Sequence, residues 1–77
     1  MTLVRYFAAA AEAAGRETEE RGERTLLELR AAVVSQHPAL AGILPRCAVL
    51  VDGVRADDDR PLHEARLIDV LPPFAGG

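Results

Sequence analysis

Apolar and polar positions alternate from Leu3 to Ala8, where valine, tyrosine and phenylalanine are concentrated. That period of two predicts a strand, with Val4 and Tyr6 on one face and Leu3 and Arg5 on the other. The alanine-rich stretch Ala8 to Ala14 predicts a short helix that Gly15 terminates. "RETEERGE", Arg16 to Glu23, is polar throughout. It fits an edge strand, because charges there discourage pairing between molecules. Thr25-Leu26-Leu27-Glu28 has the form of a capping box, in which the Thr25 oxygen accepts from the amide of Glu28 and the Glu28 carboxylate reaches back to the amide of Thr25. Leu26, Leu29, Ala32 and Val33 then form a helical stripe that runs to about Gln36, and Pro38 enforces the stop. "PALAGILP" is a connector whose Leu40, Ile43 and Leu44 plug the open end of a core. "CAVLV", "DG" and "VR" predict a hairpin, since Asp-Gly supports a tight primed turn. "ADDDRP" is a loop, and "RLIDVL" a last strand with Ile68 and Val70 inward and Leu67, Asp69 and Leu71 outward. Pro72-Pro73 ends it, because neither residue donates to a ladder.

This order predicts an α+β fold of two layers, a mixed sheet with the Thr25 helix packed across one face. Seventy-seven residues are expected to make one domain, 1–77, in which 72–77 is an extended tail. At this size folding hides only about 60% of the chain's surface.

Composition narrows the chemistry. The net charge is -3 and no basic cluster occurs, which argues against nucleic acid or an anionic membrane as partner. All nine basic residues are arginine, so the chain offers no amine as Schiff-base former, general base or isopeptide acceptor. Cys47 is the only cysteine, which excludes an internal disulfide and makes the cytoplasm the expected compartment. "MTLVRYFAAAAEAAG" superficially resembles a signal peptide, but Glu12 interrupts it and its removal would take the first strand. No run has transmembrane length.

His37, His63 and Cys47 match no zinc spacing, so no metal site is expected. His37 ends a helix, where it complements the dipole and the last carbonyls. Cys47 fits either a small core hydrophobe or an exposed thiol. Asp57-Asp58-Asp59 lacks the regular spacing and glycine of a calcium loop and reads as solvated. No catalytic triad, carboxylate pair, phosphate loop or dinucleotide fingerprint occurs, so the chain is expected to be neither an enzyme nor a cofactor binder.

The end of the chain, "VLPPFAGG", carries the remaining chemistry. A terminal glycine carboxylate lacks a β-carbon and threads a tunnel that excludes larger residues, and Gly76 before Gly77 lengthens the reach. Pro72 and Pro73 lower the entropy lost on ordering the segment. Phe74 is then either an anchor for a partner's pocket or a side chain that folds back onto the core.

"RYFAAAAEAAG", "VDG", "RPL" and "VLPPFAGG", in that order over nearly the whole chain, resemble the MoaD/ThiS sulfur-carrier family, above all the small ubiquitin-like subunit of molybdopterin synthase. The resemblance implies a β-grasp fold. It also implies that an E1-like adenylating enzyme uses ATP to activate the Gly77 carboxylate, and that a sulfur donor protein then helps convert it to a thiocarboxylate. The tail Phe74 to Gly77 would enter the large synthase subunit, with Gly76, Ala75, Phe74 and Pro73 binding the partner in a 2:2 heterotetramer, and sulfur would pass to cyclic pyranopterin monophosphate. The chain itself would hold no cofactor. Strand order in such a fold makes the first and last strands parallel neighbours, so Leu67 and Leu71 are expected to form an apolar docking patch crossed by an Arg5–Asp69 pair. Two departures from the family pattern are Ala65-Arg66, where a Gly-Asp pair is usual, and the highly charged second strand. A carrier for thiamine or another sulfur metabolite, a modifier joined through Gly77 to lysines, and an interaction domain with an inert tail share the same features.

Overall fold

A computed structural model describes residues 1–73. The elements in order are β1 (Thr2–Tyr6), α1 (Ala9–Ala14), β2 (Thr18–Arg21), α2 (Leu26–Gln36), two 3-10 turns (Pro38–Gly42 and Leu44–Arg46), β3 (Ala48–Val51), β4 (Val54–Arg55) and β5 (Leu67–Leu71). Five strands form one mixed sheet in the order β2-β1-β5-β3-β4. β1 and β5 are parallel at its centre, with Val4 opposite Ile68 and Tyr6 opposite Val70, and the other neighbours are antiparallel. This is the β-grasp arrangement.

The inner face of the sheet and the buried stripe of α2 close one core. Val4, Ile68 and Val70 meet Leu26, Leu29 and Val33, while Leu40 and Leu44 from the 3-10 turns seal the open end. Ile43 contributes a half-buried side chain. Ala32 lies at the margin of the stripe and is also only half-buried.

Local details depart from the expected boundaries for identifiable reasons. β1 ends at Tyr6 because Ala8 adopts φ 49° and ψ -123°, although the Phe7 amide still donates to the Val70 carbonyl at 3.2 Å. Those angles belong to the first central position of a type II′ turn, which glycine normally takes, and they cost a residue with a β-carbon about 1–3 kcal/mol. Ala8→Gly should therefore stabilise the protein by about 1 kcal/mol in urea unfolding, net of the entropy that glycine adds to the unfolded chain. A comparable loss would mean that the backbone there is unstrained. The capping box is only half as expected. Thr25 Oγ1 accepts from the Glu28 amide at 3.2 Å, but the Glu28 carboxylate accepts from the amide of Arg24, not Thr25, at 3.3 Å.

The hairpin turn has a second role. Asp52 and Gly53 take the positive φ values of a type I′ turn, 49° and 84°. Asp52 Oδ1 also accepts from the amides of Arg66 and Leu67 at 3.0 and 2.9 Å. The start of β5 is thus held by the turn between β3 and β4.

Candidate functional site

β5 ends at Leu71 and is followed by Pro72 and Pro73, the last of the described residues. Side-chain alternation places Leu67, Asp69 and Leu71 on the outward face, beside Leu3 and Arg5 of β1 and Leu50 of β3. Asp69 faces Arg5 in register, and the two form a bidentate pair: Arg5 Nε donates to Oδ1 at 2.6 Å and a terminal nitrogen to Oδ2 at 2.9 Å. Asp69 is only 8% exposed although it faces outward, so its charge is matched within the surface. The Arg5 guanidinium also lies 5.5 Å from the centre of the Phe7 ring.

Around this pair the face is apolar. Leu3 and Phe7 are exposed, and Leu67, Leu71 and Leu50 are half-buried. The expected Leu67–Leu71 face with its Arg5–Asp69 pair is therefore present as geometry. Downstream, Pro72 is buried and Pro73 exposed, and a shallow cleft of about 340 Å³ beside them is lined by Arg46, Ala48, Arg55 and Leu71. Phe74, Ala75, Gly76 and Gly77, on which the terminal chemistry was placed, lie outside the described residues.

A buried polar cluster went unread in the sequence. The β1–β2 register turns Glu19 and Arg21 inward with Val4 and Thr2, and the Glu19 side chain is only 6% exposed. The Tyr6 hydroxyl donates to Glu19 Oε1, and His37 Nε2 lies 2.9 Å from the same oxygen. The His37 ring thus serves Glu19 and stacks edge-on to Tyr6, 6.3 Å between centroids, instead of serving the last carbonyls of α2 as the sequence suggested. Arg21 joins Glu23 at 2.6 Å, Gln36 at 2.8 Å and Glu19 at 3.4 Å. Two inward charges on an edge strand also guard against sheet extension, since pairing in a shifted register would strand them. Burial works to raise the Glu19 carboxyl, but the hydrogen bonds from Tyr6 and His37 outweigh it and hold the group below the ordinary value of 4.5. The hydrogen bond from Arg21 lowers Glu23 likewise.

Both carboxyls therefore bind protons more weakly folded than unfolded. Their stabilising contribution is complete above about pH 4.5 and is lost as pH falls through the depressed folded values. The thermal midpoint should fall as pH drops below about 4.5, and Glu19→Gln should flatten that slope. A slope unchanged in the variant would contradict the assignment.

Cys47 packs against the core and its Sγ donates to the Ile43 carbonyl at 3.3 Å. Burial pushes its thiol up, so thiolate chemistry is disfavoured there. Among the described residues no group of three or more His, Cys, Asp or Glu side chains is placed to hold a metal ion, and no helix is long and apolar enough to cross a membrane.

The model of the ThiS family matches residues 4–77. Solved structures of similar shape include SAMP1 from Haloferax volcanii, with a TM-score of 0.79, 26% identity, and coverage of 99% of this chain and 98% of that one. They also include a chain of the complex of subunits 1 and 2 of molybdopterin-converting factor from Helicobacter pylori, with a TM-score of 0.74, 28% identity, and coverage of 99% and 97%. A further structure, of H. volcanii small archaeal modifier protein 1, has a TM-score of 0.67, 27% identity, and coverage of 95% and 97%. No curated protein matches the sequence.

Proposed function

This chain belongs to the ThiS family, and from that membership we propose that it is a sulfur carrier acting through Gly77, in the role of the small subunit of molybdopterin synthase. The observation that carries this reading is the outward sheet face. Leu67 and Leu71 sit on the strand that leads into the Gly-Gly end, beside Leu3 and the matched Arg5–Asp69 pair. A partner seated on that face receives the end of the chain at a fixed exit. The H. pylori structure, in which the similar chain stands in a complex of two subunits, supports a large-subunit partner.

In this reading an E1-like enzyme uses ATP to convert the Gly77 carboxylate to an acyl-adenylate, because a free carboxylate is a poor electrophile. Sulfide-level sulfur from a donor protein attacks the acyl carbon, AMP leaves with the electron pair of the broken C–O bond, and a thiocarboxylate remains; a donor that presents its sulfur as a persulfide also needs a thiol reductant to cleave the acyl disulfide. Phe74 to Gly77 then enter the large subunit, with Pro73 also binding the partner, in a 2:2 assembly, and the thiocarboxylate sulfur passes to cyclic pyranopterin monophosphate while water restores the Gly77 carboxylate. The catalytic groups belong to the large subunit. This chain contributes the reactive atom, its reach and its docking face, and binds no cofactor.

The test is binding to the large subunit of molybdopterin synthase. Leu71→Asp places a charge in the apolar face and should weaken that binding about a hundredfold, the size of an interface hot spot, with the thermal midpoint little changed. Unchanged affinity would remove the docking face from the account. The likeness to SAMP1 and to small archaeal modifier protein 1 favours a second reading, a ubiquitin-like modifier joined through Gly77 to lysines of targets. A chain without lysine cannot build polymers on its own side chains.

A further inference from the structure

The turn between β3 and β4 holds the chain's one Asp-Gly step, Asp52-Gly53, and the sequence has no asparagine. Glycine leaves its own nitrogen unshielded. A β-carbon built on Gly53 would meet nothing within 4 Å beyond its chain neighbours, and both turn residues are exposed to water. The other aspartates precede Asp58, Asp59, Arg60 and Val70, whose side chains crowd the nitrogen that follows.

Asp52 is nonetheless closed onto the start of β5 by three hydrogen bonds. Its amide donates to the Leu67 carbonyl at 2.8 Å, and its Oδ1 accepts from the amides of Arg66 and Leu67 at 3.0 and 2.9 Å. The two side-chain bonds fix the carboxyl against residues 66 and 67. A rotation that carries its Cγ onto the Gly53 nitrogen has to break them first.

We propose that Asp52 is a site of spontaneous isomerisation to isoaspartate, gated by this clasp. Once the clasp opens, the Gly53 nitrogen bonds to Cγ of the protonated carboxyl, and the amide proton leaves with the carboxyl OH as water. The five-membered imide so formed takes up water at either carbonyl. Breaking the bond from nitrogen to Cγ restores aspartate, whereas breaking the bond to the main-chain carbon leaves isoaspartate, with one extra methylene in the backbone. No oxidant or reductant is consumed, and the mass of the chain is unchanged. The free carboxyl of isoaspartate sits one carbon closer to the backbone, in a lengthened turn. It does not rebuild the clasp, and the start of β5 at Leu67 is released. This chemistry is independent of what happens at Gly77.

The test follows the tryptic peptide 47–55 taken at intervals from the full chain kept in warm neutral buffer, with a synthetic peptide of the same sequence as the unclasped reference. Chromatography separates the two isomers at equal mass, and electron-transfer fragmentation places the change. The synthetic peptide should isomerise at Asp52 at least about tenfold faster than the folded chain, because the bonds to the carboxylate must first open, and urea should bring the chain up to the peptide's rate. Arg66→Pro removes one donor and should speed the reaction in a chain still folded by circular dichroism. Should that variant not fold, amide exchange at Arg66 and Leu67 in the unaltered chain decides, since exchange and isomerisation should rise together as urea is added. The isomerised chain, isolated by ion exchange, should exchange those two amides faster and melt at a lower temperature. The proposal is overturned if peptide and folded chain react at the same rate, or if isoaspartate forms first among Asp57, Asp58 and Asp59. It is equally overturned if the rate does not follow exchange at residues 66 and 67, or if the isomerised chain keeps their protection.

Discussion

Deleting Gly77 should abolish ATP-dependent pyrophosphate exchange by the proposed adenylating partner, a loss of about a hundredfold or more, because the carboxylate that in this reading meets the nucleotide is withdrawn by one residue. The thermal midpoint should not move, since the core is built from residues between Val4 and Val70. An interaction domain with an inert tail would lose nothing. The contrast separates chemistry at the terminus from docking on the sheet, which Leu71→Asp tests independently.

The largest effect on stability is expected at Ile68. Its side chain is fully buried where β1, β5 and α2 converge, opposite Val4 in the parallel pair. Ile68→Ala removes three heavy atoms from a core with little room to collapse, and should cost about 3 kcal/mol. In a domain of this size that lowers the thermal midpoint by about 12–24 °C. A shift of only a few degrees would mean that the central strands are not packed as described. Because Ile68 sits one residue from outward-facing Asp69 and Leu67, the same variant should bind the large subunit normally wherever it remains folded.

Much of this was legible in the sequence because the relevant residues carry one signal each. The alternation in "RLIDVL" sorts Ile68 from Asp69, Asp-Gly fixes the hairpin, Thr25 starts α2, and Gly15 ends α1 with φ 72°. The parallel β1–β5 pair and the Arg5–Asp69 contact followed from the strand order of the family it resembles. What was hidden has a physical reason. β2 is polar on both faces, so a period of two leaves no mark there, and the inward turn of Glu19 and Arg21 depends on partners distant in sequence, Tyr6, Gln36 and His37. Those partners were the available signal: a tyrosine on the inward face of β1 and a histidine closing α2 both need polar company. The aspartate loop is exposed, as its reading as solvated expects, and Asp59 in addition caps α2 at Leu27, a contact across 32 positions that no local pattern encodes. Ala8 offered no warning either, because alanine in an alanine run predicts helix and the strain arises from the turn between β1 and α1.

The central claim is that Gly77 is a carrier of sulfur, and the mass of the intact protein purified from its native host tests it most directly. The account predicts a fraction in which one carboxylate oxygen is replaced by sulfur, lost on deletion of Gly77. A terminus found only as free carboxylate, or joined to lysines of other proteins as a branched tryptic peptide with no sulfur-bearing form, would contradict it.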